Sequence, residues 1–149
     1  MDRIRLFRVV LLISSLIYLL VLVKYLILDR MFYSGFGERV ANFRPFQSIW
    51  QYIVLREQYH LDTWVMNLFG NLAMLFPFGL LLPLLVPSMR RLLQFVYTLL
   101  ICNLSIEVLQ YITNFGSFDI DDIILNCSGG LIGYGCARLF LLFPSTGSE

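Results

Sequence analysis

The chain has 149 residues and a formal net charge of +1; 58% of its residues are hydrophobic and 14% charged, giving a mean hydropathy of +0.76. A single domain of that length has too little interior to hide so much apolar surface from water, whereas a bilayer is itself an apolar solvent. The near-neutral charge without a basic run excludes nucleic acid as a partner, and the apolar content excludes a disordered chain.

Four apolar stretches each approach the ~20 residues that carry a helix across ~30 Å of hydrocarbon. The first, about residues 6–28, follows Arg3, Arg5 and Arg8. It is longer than the apolar region of a secretory signal and lacks a small-residue cleavage site, so it reads as a retained anchor. A polar loop over 29–62 follows. Its Gly35 and Gly37 portion reads as irregular. Its second part reads as a short helix, with Pro45 in the first turn and Phe46, Ile49, Trp50, Ile53 and Val54 on one face. Trp and Tyr so near a membrane favour a helix lying in the headgroups.

The second stretch, about 63–86, contains Pro77 and Pro83 and ends in a short turn, 87–91. The third covers about 92–113; a turn, 114–119, leads into the fourth, about 120–143, and a tail, Pro144 to Glu149. The expected fold is an all-α membrane protein. It is a single domain, a four-transmembrane-helix bundle whose extracellular loop contains a short interfacial helix. Arg3, Arg5, Arg8, Arg90, Arg91 and Arg138 lie close to one set of membrane ends. Arg30, Arg39, Arg44 and Arg56 are spread along the long loop, so both termini are expected in the cytoplasm. Cys102, Cys127 and Cys136 lie in apolar segments without CxxC or Cys–His spacing and read as packing residues.

The informative residues are the polar ones inside the spans. Asn67 and Asn71 are four apart near the start of the second; Asn103, Glu107 and Gln110 share a face near the end of the third. Asp119, Asp122 and Asn126 share a face at the start of the fourth, with Asp121 beside them. Consecutive spans are antiparallel, so all three sets lie at one membrane surface. At 1.5 Å per residue, Asn71, Glu107 and Asn126 fall roughly 9–12 Å below it. An intramembrane carboxylate is expensive, so Glu107 is expected to face the bundle interior.

Such a cluster suits acid–base work by Glu107 with Asp119 and Asp122 as further carboxylates. Asn67, Asn71, Gln110 and Asn126 would orient a substrate, with Arg44 and Arg56 folding over it from the loop. An all-oxygen set is also what Mg²⁺ or Ca²⁺ prefers, and Asp119, Asp121 and Asp122 are the candidate ligands of a divalent metal. Blander readings stand beside these: amides as glue between helices, Asp119 and Asp121 as helix caps, Gly129, Gly130 and Gly133 as a packing stripe, His60 as a surface residue.

The run Asn67-Leu-Phe-Gly-Asn71…Phe76-Pro77-Phe78-Gly79 resembles the N-x-x-x-N…F-x-P-x-G segment of VanZ-like membrane proteins. Glu107-Val-Leu-Gln110, Phe118-Asp119-Ile-Asp121-Asp122…Asn126 with Gly129-Gly130, and Asn42-Phe-Arg-Pro45-Phe46 resemble that family's other elements in order. Many relatives carry an arginine before the F-D segment, where this chain has Gly116-Ser117; its role here is either absent or taken by Arg44 or Arg56. The resemblance implies a bacterial cell-envelope protein of the plasma membrane, linked to resistance to the glycopeptide antibiotic teicoplanin. It does not supply a reaction. Three readings remain open: an enzyme acting on a lipid or lipid-linked cell-wall precursor at the outer leaflet, a non-catalytic binder of an amphipathic ligand such as a lipoglycopeptide, or a transport or structural subunit.

Overall fold

Each of the four apolar stretches forms a helix, and the computed structural model describes residues 3–24 and 40–142. The Gly35–Gly37 stretch, the end of the first apolar run and the Pro144–Glu149 tail lie outside the described residues. Helix α1 is Arg3–Val23. A two-residue strand β1 (Ala41–Asn42) leads to the short helix α2 (Gln47–Val54). The second span, α3, is Leu61–Leu85, followed by α4 (Leu92–Thr113), strand β2 (Phe118–Asp119) and α5 (Ile120–Leu142). Four of these helices are long and apolar enough to cross a membrane. The protein is an all-α membrane bundle.

The centre of the bundle is the contact of α3 with α5, and glycine makes it possible. A Cβ on Gly79 would overlap the carbonyl oxygen of Gly130, one on Gly129 that of Leu72, and one on Gly133 that of Phe76. Backbone therefore lies directly on backbone, the close approach that small residues permit where lipid gives helices no hydrophobic reason to associate. Beside this seam Leu75, Phe95, Leu99 and Tyr134 form the buried apolar core, with Phe95 and Tyr134 stacked at 4.6 Å between ring centroids. The Tyr134 hydroxyl donates to the Arg90 carbonyl at 2.6 Å.

Helix α3 is not a regular α-helix. Met66–Gly70 is a π-helical turn, and the helix breaks at Leu75 ahead of Pro77. The Met74 carbonyl, stranded at that break, accepts the Tyr18 hydroxyl of α1 at 2.9 Å. A neighbouring helix thus supplies the hydrogen bond that lipid does not provide. Otherwise α1 is peripheral, its outer residues exposed to the surroundings.

The polar loop does not start its helix where Pro45 suggests. Helix α2 begins at Gln47, after Phe46 has taken a left-handed conformation (φ 63°) that costs an L-residue about 1–2 kcal/mol. Strands β1 and β2 pair in parallel, Ala41 with Phe118 and Asn42 with Asp119, tying this loop to the α4–α5 turn. Phe46, just before α2, and Trp50, Ile53 and Val54 within it remain exposed, as suits a helix in the headgroup layer.

The glycine seam yields a prediction. Gly129→Ala forces α3 and α5 apart and lowers stability by about 3 kcal/mol, the upper range for overpacking. Gly135→Ala, whose Cβ meets nothing within 4 Å, leaves the thermal unfolding midpoint in detergent unchanged. Equal midpoints for the two variants would contradict the seam.

Candidate functional site

Antiparallel spans bring the end of α4 and the starts of α3 and α5 to one end of the bundle, beneath the 40–60 loop. Polar groups gather there in two layers. The upper layer holds the loop in place. The Asp121 side chain, 1% exposed, accepts three backbone N–H groups of the α2 start: Phe46 on Oδ1, and Ser48 (2.7 Å) and Ile49 (3.1 Å) on Oδ2. A helix N-terminus is a natural anion site, because its first N–H groups have no partner within the helix. Here the anion is a carboxylate delivered from α5, more than 70 residues away along the chain.

Asp119 completes this layer. Its Oδ1 accepts the Asn42 amide at 3.2 Å and the Asp121 N–H at 2.9 Å, and its Oδ2 accepts the Ser48 hydroxyl. Asn42 donates also to Ser48 Oγ at 2.9 Å and accepts the Arg44 N–H at 3.0 Å. Asp119 and Asp121 thus direct their oxygens at the loop. Among the described residues, no group of three or more His, Cys, Asp or Glu side chains is arranged to hold a metal ion. The set Asp119, Asp121 and Asp122 does not converge on a common point, because the first two are turned toward β1 and α2.

The lower layer lies within the spans. The Asn71 amide of α3 donates to Asp122 Oδ1 of α5. The Asn103 amide of α4 donates to the Ile123 carbonyl at 3.0 Å, and its carbonyl accepts the Asn126 amide at 3.2 Å. Asn71, Asn103, Glu107, Gln110 and Asn126 are all at most 5% exposed. The one-face spacing of Asn103, Glu107 and Gln110 on α4 therefore points inward, away from lipid. Two amide atoms in this layer, Gln110 Nε2 and Asn126 Oδ1, are buried with no hydrogen-bond partner among the described residues. Such atoms are rare in native structures and mark places where water or a ligand belongs.

The remaining candidates sit apart. Asn67, half-buried, turns its amide back to the Thr63 carbonyl of its own helix at 2.7 Å, although it is only four residues from Asn71. Arg44 is exposed on the rim of a polar hollow of about 550 Å³ shared with Asn42, Gln47, Ser48, Gln51 and Asp119. The Arg56 guanidinium lies 4.8 Å above the Trp64 ring, a cation–π contact. His60 is exposed.

Two residues enter that sequence reasoning did not single out. Ser48 bridges the loop to both aspartates, and nothing in a lone serine signals this. Tyr52 packs against Tyr59 with the rings tilted, centroids 4.8 Å apart. Its phenol is held above its usual pKa by burial, and then by the neighbouring Tyr59, Asp122 and Asp119. Tyr52 thus lies within electrostatic reach of acids in both layers, a link between the loop and the spans.

With that geometry in hand, comparison with known proteins decides the family. The VanZ/LLP1 family model matches residues 9–141. The chain belongs to the VanZ/LLP1 family. It is similar to Protein VanZ of Enterococcus faecium, with 29% identity over 122 residues, 78% of this chain and 66% of that protein. No solved structure matches significantly. The four apolar helices and the VanZ/LLP1 match together make it a multi-pass membrane protein.

The upper layer is testable by substitution. Asp121→Asn keeps the size but sets an NH₂ group against backbone donors. It lowers stability by about 3 kcal/mol, as expected when a charged acceptor of several hydrogen bonds is lost from a buried site. Asp62→Asn, an exposed acid at the same end of the bundle, leaves the unfolding midpoint unchanged. An unchanged midpoint for Asp121→Asn would refute the capping role.

Proposed function

We propose that this VanZ-like protein works in the bacterial plasma membrane with both termini in the cytoplasm. It lowers susceptibility to teicoplanin by acting on a lipid or lipid-linked envelope precursor at the outer leaflet. One observation carries the reading: a buried acid–amide layer inside the spans, built from α3, α4 and α5, with amide atoms that no group among the described residues satisfies. An ionisable group such as Glu107 within a span is expensive to place there and is by default a pointer to a functional site.

In this reading Glu107 moves the proton as general acid or base, and Asp122, oriented by Asn71, is the second carboxylate. Gln110 and Asn126 offer one donor and one acceptor to a polar part of the substrate. Asp119 and Asp121 act by holding the loop and α2 over the site and take no part in chemistry. No metal-dependent step is included, since the aspartates do not form a ligand set.

A second reading, capture of an amphipathic ligand without turnover, draws support from an apolar cavity that reaches Gln110. Glu107→Gln separates the two, because it keeps size and most hydrogen bonds but removes the titratable proton. In a susceptible host expressing the full chain, enzymatic action predicts that Glu107→Gln returns the teicoplanin inhibitory concentration to the empty-vector level at unchanged membrane abundance. Retention of the wild-type concentration would refute a proton-transfer role and favour capture.

A further inference from the structure

The two ends of the bundle differ in charge. Every acid among the described residues, Glu57, Asp62, Glu107, Asp119, Asp121 and Asp122, lies at the loop end. At the opposite end the described charged side chains are all guanidiniums. Arg5 and Arg8 lie at the start of α1, Arg90 and Arg91 between α3 and α4, and Arg138 near the end of α5.

Packing gathers them. The Tyr134 hydroxyl donates to the Arg90 carbonyl at 2.6 Å. Arg138 follows Tyr134 by one helical turn on the same face, so α5 carries it to the turn that holds Arg90 and Arg91. Phe7 stacks on Phe140 with ring centroids 5.9 Å apart, which sets Arg8 at the depth of Arg138.

Arg90 is also held in orientation. In a continuing helix the Pro83 carbonyl would accept the N–H of the residue four places on, but that residue is Pro87 and has none. The carbonyl accepts Arg90 Nε instead, at 3.2 Å. The donors on Nη1 and Nη2 of this exposed side chain have no protein partner among the described residues. A guanidinium pinned at Nε keeps a planar fork of donors, the geometry that matches a phosphate.

Depth identifies where that phosphate comes from. Arg91 immediately precedes α4, whose 22 residues make ~33 Å and just cover the ~30 Å hydrocarbon layer. Arg138 is four residues from the end of α5, ~6 Å inward, and a side chain of its length reaches the same boundary. The guanidiniums therefore stand at the level of the lipid phosphates, and a soluble acidic partner would lie farther out.

We infer that Arg90, Arg91 and Arg138 bind the headgroup phosphate of an anionic phospholipid, Arg90 through its oriented fork and the other two through charge. In the orientation proposed above, this lipid belongs to the cytoplasmic leaflet. The site is otherwise independent of the acid–amide layer, which lies at the other end of the spans.

The test uses the full chain in neutral detergent with equal amounts of phosphatidylglycerol and phosphatidylcholine, the bound lipids being counted by native mass spectrometry. Phosphatidylglycerol is retained in preference, and Arg91→Gln or Arg138→Gln each lowers that preference about five-fold, the effect of one arginine near a charged headgroup. Arg90→Lys lowers it by a similar factor although charge is kept, whereas Arg91→Lys leaves it unchanged. Arg91→Gln and Arg138→Gln spare the bond from Arg90 to Pro83, so a folding defect in Arg90→Lys leaves the test standing. Equal retention of the two lipids by the wild type overturns the inference. So does an equal loss of preference in Arg44→Gln, which removes the same charge from the loop end and would mean diffuse attraction. Displacement of phosphatidylglycerol by an equal concentration of inorganic phosphate overturns it too, because the site would then take the free anion as readily as the lipid.

Discussion

A bilayer offers no hydrogen bonds, and that constraint organises this protein. A polar side chain carried into the hydrocarbon must find its partner on another helix. Asn71 finds Asp122, Asn126 finds Asn103, and the Tyr18 hydroxyl finds the Met74 carbonyl where α3 breaks. These pairs fix which helices are neighbours and in what rotation. The glycine seam between α3 and α5 lets them form, because only direct backbone contact brings short side chains such as Asn71 and Asp122 within reach of each other.

The same constraint separates two kinds of acid. Asp119 and Asp121 sit where the chain leaves the membrane: Asp121 meets the unsatisfied N–H groups at the strained start of a short helix, and Asp119 holds the Asn42 and Ser48 side chains beside it. Asp122 and Glu107 lie deeper, among amides. A single sequence run, Phe118 to Asp122, therefore serves two purposes, with neighbouring carboxylates facing different ways. The α2 lid depends on the first purpose; proton chemistry in the proposed function depends on the second.

Much of this was legible beforehand, for physical reasons. The four spans follow from run length and apolarity alone. The meeting of Asn71 with Asp122, and of Asn103 with Asn126, at one end of the bundle follows from antiparallel alternation and the cost of burying polar groups. The inward face of α4 follows from the spacing of Asn103, Glu107 and Gln110. The Gly129–Gly133 stripe announced a close helix contact, though not that Gly79 and the Leu72 and Phe76 carbonyls would receive it. What was illegible rests on backbone partners at long range. Asp121 binds N–H groups of Phe46, Ser48 and Ile49, and backbone donors carry no residue signature. The π-helical turn at Met66–Gly70 and the parallel pairing of β1 with β2 likewise involve main chain only. Pro45 misplaced the α2 start because the cap comes from α5 and not from the local sequence.

The central claim is that polar groups from separate spans meet inside the bilayer, and a double-mutant cycle on Asn71 and Asp122 tests it most directly. Unfolding free energies are measured for Asn71→Ala, Asp122→Ala and the pair, in lipid-containing micelles. A shared buried hydrogen bond to a carboxylate predicts a coupling energy of about 1.5–3 kcal/mol. Additivity to within about 0.5 kcal/mol would mean that the two side chains do not meet, and the account of the site would fail with them.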